Sequence, residues 1–230
     1  MPDEVVAASG IRPQVRLTTS SGSVTLVAER RDDIEVDSGG GEVKRYPSSE
    51  VEAINVRGSA SVELRCPAGS DVVVGTRSGA VRMRGELGDV RVTTHSGSIS
   101  VGDVESADLR TASGSVEVHH CDTVCRVTTS SGSVEIRAAV DADVRGGSGT
   151  VRVSSGTATV RTVSGTVELA ATGDSSVDTV SGAITVSLPP HVHPRVAMRG
   201  SKSPKIKVSE GDDCKVSLCS LSGKVTVRSR

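Results

Sequence analysis

The chain has 230 residues, with 27 Lys plus Arg against 28 Asp plus Glu, 25 Gly, 8 Pro, one Tyr and neither Phe nor Trp. A net charge of −1 makes no general case for nucleic acid or an anionic membrane, and no run approaches the 18 apolar residues of a transmembrane helix. Without aromatics to fill volume, the core must come from Val, Leu, Ile, Ala and Thr, which suits a narrow interior flanked by strands.

Residues 1–10 read as a tail or cap, and residues 11–230 as one β-solenoid domain with irregular turns at 30–70 and 188–215. The opening MPDEVVAASGIRPQ carries acid and proline where a secretory leader needs a basic patch and an apolar run. Five cysteines, an odd number without disulfide-rich spacing, fit a reducing compartment. The expected location is therefore cytoplasmic, or the surface if a leader has been removed.

The first copy of a repeat is Leu17, Thr19, Ser21, Gly22, Val24 and Leu26. Weaker copies follow at Ser38-Gly39 and near Ala60, where Val62 and Leu64 keep the pattern. The regular series then runs through Gly79, Gly97, Gly114, Gly132, Gly149, Gly165 and Gly182, at spacings of 18, 17, 18, 17, 16 and 17 residues. Numbered from each glycine, position −5 is Val or Leu throughout (Val74 to Val177), and −3 is Thr except at Gly146. Position −1 is always Ser, while +2 and +4 are Val, Ile, Leu or Met.

Alternation on each flank is strand period. It slips by one across the glycine, as it must where a chain turns a corner and keeps both flanks facing one core. Glycine permits the positive φ that such a corner needs, and the preceding Ser can bond locally. The −3 threonines fall on the inner side, facing one another or the corner backbone. The period is too short for a strand-helix unit, so stacked strand coils are predicted: an all-β, single-chain β-solenoid with turns of about 17 residues and Ser-Gly corners. With rungs about 4.8 Å apart, about a dozen turns would make a rod on the order of 55 Å long. An antiparallel sandwich would not need identical columns at every turn.

In the middle of the series, His119-His120-Cys121 with Asp122 and Cys125 offers ligand types suited to zinc. No second pair at zinc-finger spacing accompanies them. Cys121 falls in the column of Val104 and Ala139, which makes it a small core residue, and His119 falls on the outer face beside Gly102 and Arg137. Cys214 and Cys219 take the same core reading, and no metal or cofactor is expected. The outward +3 column places Glu117 and Glu135 on adjacent turns and Arg152 between Glu135 and Glu168, a solvated ladder of cross-strand pairs. A carbohydrate-active solenoid enzyme would need grouped carboxylates or a calcium site, and aromatics for sugars; no catalytic residues are expected. Ice binding is disfavoured because the regular Thr column points inward.

Two surface features remain. The outward −2 column turns apolar near the C-terminus, from Ala112, Ser130 and Gly147 to Val163, Val180 and Leu221, a candidate face for a protein partner. After the LPPHVHP interruption and a weak copy at Ser203-Pro204, the last copy (Leu218, Ser220, Ser222, Gly223, Val225, Val227) ends at Arg230 without a capping helix. Val225, Thr226 and Val227 are thus a candidate edge for end-to-end self-association, with Arg228 and Arg230 placed to discourage it.

Tandem V-x-T-x-S-G-x-V-x-V turns, the LPPHVHP interruption and the terminal LCSLSGKVTVRSR resemble the bacterial "putative adhesin" family over residues 11–230. The resemblance implies a β-helical domain of unassigned function, with no catalytic residues to carry over. It also implies a surface setting and an envelope-stress or membrane-protein context. The expected function is a non-catalytic interaction scaffold; the alternative is an adhesin-like or envelope-stress module that binds surface material or a membrane partner without inserting.

Overall fold

The structure, a computed structural model, describes residues 12–39, 42–47, 51–57, 61–200 and 204–229. Seventeen strands make one continuous sheet, and no helix occurs among the described residues. The strands are β1 (Gln14–Thr19), β2 (Val24–Glu29), β3 (Glu35–Asp37), β4 (Glu42–Pro47), β5 (Val51–Arg57) and β6 (Val62–Pro67). Next come β7 (Asp71–Ser78), β8 (Val81–Ser96), β9 (Ile99–Ser113), β10 (Val116–Ser131), β11 (Val134–Ser148), β12 (Thr150–Ala171) and β13 (Ser175–Leu188). The last four are β14 (Pro194–Arg199), β15 (Lys205–Lys207), β16 (Cys214–Ser222) and β17 (Val225–Ser229).

Each rung has three sides. Face A carries the residues before the glycine corner, face B those after it, and an irregular third side leads to the next rung. Strands β8 to β11 each start after one glycine corner and end before the next, running from face B round the third side to face A, whereas β12 and β13 pair continuously through the Gly165 and Gly182 corners. The −5 and −3 residues of face A and the +2 and +4 residues of face B point inward. Leu17, Val92, Leu109, Val127, Val144, Val160 and Val177 are fully buried, as are Val24, Leu26, Val118, Val167, Ile184 and Val186. Burying such a side chain contributes roughly 1.5–3 kcal/mol, so these columns hold the rod together. Changes in rung length are absorbed on the third side, where the register shifts between Met83 and Glu86, Cys121 and Val124, and Ile136 and Ala139.

The corner glycines all have positive φ, from 101° at Gly22 to 157° at Gly223, and no other residue type does among those described. A second reason for glycine is stacking. A Cβ on Gly132 would lie 2.1 Å from the carbonyl oxygen of Gly114, and the same clash recurs up the column. Inside the corner, the hydroxyls of Thr19, Thr76, Thr94, Thr111, Thr129 and Thr179 each donate to the carbonyl of the Ser two residues on, at 3.0–3.4 Å. These six threonines thus bond the corner backbone and not one another, while the buried Thr162 hydroxyl has no hydrogen-bond partner among the described residues.

Rungs do not stack in chain order at the ends. β1 lies between β5 and β7, and β2 between β6 and β8, so the rung of residues 14–29 is sandwiched between those of 51–67 and 71–84. The segment between them covers this end: β3 runs antiparallel along β6, and β4 antiparallel along β5. At the other end the same tuck occurs. β16 lies between β13 and β14, and β17 between β13 and β15.

This arrangement corrects the expected self-association edge. Val225, Thr226 and Val227 sit in β17, paired with Ile184, Thr185 and Val186 on one side. On the other side Lys205 pairs with Thr226 and Ile206 with Val227. Val225 and Val227 are buried. The outermost C-terminal rung is β14–β15, built from the proline-bearing interruption that reads as an irregular turn.

Candidate interaction surface

On face A, pairing brings the expected apolar column together. Thr162 pairs with Thr179 and Ser164 with Ser181, which sets Val163 beside Val180. Thr179 pairs with Ser220 and Ser181 with Ser222, which sets Leu221 beside Val180 on the other side. The three side chains occupy successive rungs, about 4.8 Å apart. They are exposed by 58%, 49% and 65% respectively, high values for residues that would be worth burying. The flanking −4 column is polar, with an Arg161–Asp178 ion pair at 3.7 Å and the half-exposed Cys219 next in line. Toward the N-terminal end the −2 column changes to exposed His95 and Arg77. Sequence reading missed Val140, 60% exposed, because it lies on the third side, outside the repeat columns.

Face B is a charged ladder. Glu117 and Glu135 pair in register on adjacent rungs, and Arg137 spans both, with Nη2 2.6 Å from Glu117 and Nε 3.3 Å from Glu135. Arg152 takes Glu168, at 2.9 Å, and not Glu135. Glu135, Arg137, Arg152 and Glu168 line a shallow groove of about 830 Å³ that extends to Thr185, Ser187 and Arg228. Each exposed pair contributes at most about 1 kcal/mol.

The His-His-Cys cluster is divided by the strand alternation and the bulge. His119 Nδ1 lies 3.0 Å from Asp103, and His120 Nε2 lies 2.9 Å from Asp122, both outside. Cys121 points into the core between Val104 and Ala139 and is fully buried. A second groove, of about 740 Å³, runs past His119, His120 and an Arg12–Glu105 ion pair. Among the described residues, no group of three or more His, Cys, Asp or Glu is placed to hold a metal ion. Inside, Cys121 meets Cys125, also fully buried. The hydrogen bond from Cys125 lowers the Cys121 thiol to about 7, whereas the same bond and burial push Cys125 well above the ordinary thiol range. Burial raises Cys66 as well, and Cys214 with it.

Comparison with known proteins agrees with the fold. The family pattern described as Toastrack DUF4097 matches residues 24–228. Among curated proteins, none matches the chain. The crystal structure of a "putative adhesin" from Bacteroides fragilis NCTC 9343 is similar, with a TM-score of 0.51 at 10% identity, covering 95% of this chain and 92% of that one. A "putative cell adhesion protein" from Clostridium sporogenes ATCC 15579 aligns at a TM-score of 0.26 and 8% identity, over 96% of this chain and 93% of that one. At 10% identity the likeness to the Bacteroides fragilis structure shows a shared fold alone. No helix of the described residues is long and apolar enough to cross a membrane.

Proposed function

Since the chain belongs to the Toastrack DUF4097 family, we propose that it works without catalysis, as a rigid scaffold that holds a protein partner against the C-terminal half of face A. The observation that carries this reading is the unbroken column Val163, Val180 and Leu221, three exposed apolar side chains on successive rungs of one face. Buried apolar anchors ringed by polar groups carry most of the energy of protein interfaces, and this column has such a rim in Arg161 and Asp178. The backbone beneath is fixed by ladders on both sides, so binding orders little. The pairing of Glu117, Glu135 and Glu168 with arginines supports a non-catalytic reading, because those carboxylates are already engaged. A cytosolic setting is part of the proposal, from the odd cysteine count.

The test is affinity capture with wild-type protein and with Val180→Lys, whose charge would be stranded in the column. Loss of a specifically retained protein by about tenfold, with an unchanged melting curve, supports the proposal. Equal retention by both proteins removes this face from consideration.

A second reading is an adhesin-like module that binds envelope material or a membrane partner. It draws on the fold shared with the Bacteroides fragilis protein. Sedimentation of the protein with isolated cell envelopes, unaffected by Val180→Lys, would favour it over the scaffold.

A further inference from the structure

We propose that copies of this chain stack head to tail, the open C-terminal rung of one receiving the N-terminal cap of the next. This surface is separate from the face A column, and the proposal stands whether or not that column binds a partner.

The two ends of the rod offer matching edges. At the C-terminal end, β14 pairs only with β16 and β15 only with β17 among the described residues, which leaves one edge of each open. At the N-terminal end, β4 pairs only with β5 and β3 only with β6 in the same sense. β14 and β4 each have six residues, and β15 and β3 each have three. They also lie on corresponding sides. β14 and β4 continue face A, through β16 and β5, and β15 and β3 continue face B, through β17 and β6. A copy shifted along the rod axis therefore brings β4 onto β14 and β3 onto β15. Both junctions are antiparallel, because β3 and β4 run against the direction of every other rung; antiparallel pairing is if anything the stronger kind.

The chemistry of the shorter junction is complementary residue by residue. β15 reads Lys-Ile-Lys and β3 reads Glu-Val-Asp. Centred antiparallel pairing sets Lys205 opposite Asp37, Ile206 opposite Val36 and Lys207 opposite Glu35. The apolar pair faces the core, since Ile206 is in register with buried Val227 and Val36 with buried Leu64. Ile206 is 40% exposed and Val36 only partly buried, because each ends its column with one side uncovered. Val196 and Met198 of β14 are likewise only partly buried. Stacking would cover these core ends together.

Charge selects the pairing. The C-terminal rung carries Arg195, Arg199, Lys205 and Lys207, all exposed, and no carboxylate pairs with either lysine among the described residues. Two such ends repel each other, which disfavours a symmetric C-to-C dimer. On β3, Glu35 already pairs with Arg31 at 3.1 Å and Asp37 accepts from the Gly39 amide at 3.0 Å. Both carboxylates remain exposed and can accept a further donor. A contact of this kind is heterologous and does not close, so it builds an open filament.

Sedimentation velocity over a concentration series, at low and high salt, tests the proposal. Wild-type protein should form linear oligomers whose midpoint concentration rises with salt. Lys205→Glu/Lys207→Glu should raise that midpoint on the order of tenfold or more, and so should Glu35→Lys/Asp37→Lys. An equimolar mixture of the two variants should restore association, because each end of one then complements the other. Asp37→Lys alone replaces the second variant if loss of the Arg31 contact lowers its melting temperature. Single rods at every wild-type concentration would overturn the proposal. So would variants that associate as wild type does, a mixture that stays monomeric, or association abolished by Val180→Lys.

Discussion

At the scale of single residues, the corner glycines serve two needs at once, and only one is visible in a sequence. Positive φ is a local requirement that Ser-Gly followed by a slip in alternation announces. The 2.1 Å approach of a Gly132 Cβ to the Gly114 carbonyl exists only once two rungs are stacked. Gly132→Ala should therefore cost about 3 kcal/mol or more, beyond the conformational strain alone, and show as a clear fall in melting temperature. Gly146 is the contrast. It occupies a threonine position with ordinary φ, and its Cβ would sit 3.5 Å from Thr162 Cγ2 and 4.0 Å from Thr129 Cγ2, ordinary contact. Gly146→Thr should stabilise by about 0.5–1 kcal/mol, through lost unfolded-state freedom. A thermal melt of both variants separates the two kinds of glycine.

At the scale of strands and columns, the repeat grammar was enough to assign inside and outside. Cys121 is in the core because its column is, and His119 is outside for the same reason. The apolar column of Val163, Val180 and Leu221 was legible because a −2 residue on one rung must neighbour the −2 residue on the next. Which rung is next was not legible. Val15, Leu17, Val24 and Leu26 present the same inward pattern as Val72, Val74, Val81 and Met83, so any copy can stack on any other. Register is set by the pattern, but order is set by which connections can reach, and residues 30–70 and 188–215 hold too little periodicity to reveal it. The ion pairing of face B was half legible: long side chains chose Arg137 for Glu135 from two residues away in the same strand, where column reasoning offered Arg152. Inside the columns, buried thiols give a pH signature. The folded-state pKa of Cys66, Cys125 and Cys214 is raised above the ordinary value of about 9. The unfolded chain then loses protons first as pH rises, so this contribution is intact below about pH 9 and is lost above it. Melting temperature should fall on the alkaline side of pH 9, and Cys125→Ala should flatten that fall even if it lowers stability at neutral pH.

At the scale of the whole rod, the tucked ends change how the molecule should come apart. In a stack whose rungs contact only their neighbours, stability is a sum of rung and interface contributions, and ends fray first. Here the first described rung in the chain, residues 14–29, is not an end. It is the template on which both the 51–67 rung and the 71–84 rung pair. Removal of residues 1–30 therefore takes away two interfaces, and β5 and β6 lose the only parallel partners they have among the described residues. Removal of residues 214–230 acts alike, since β14 and β15 pair with nothing but β16 and β17 among the described residues. Hydrogen exchange on the two truncated proteins should show protection lost well beyond the deletion. In the first, amides of residues 51–67 should exchange as an unfolded segment. In the second, those of 194–207 should do so, while the central rungs from β8 to β12 stay protected in both. If 51–67 kept its protection after removal of 1–30, that rung would have re-stacked directly on β7 and β8. The degenerate column pattern permits this, and it would show that stacking order follows connection length and not a preference of one rung for another.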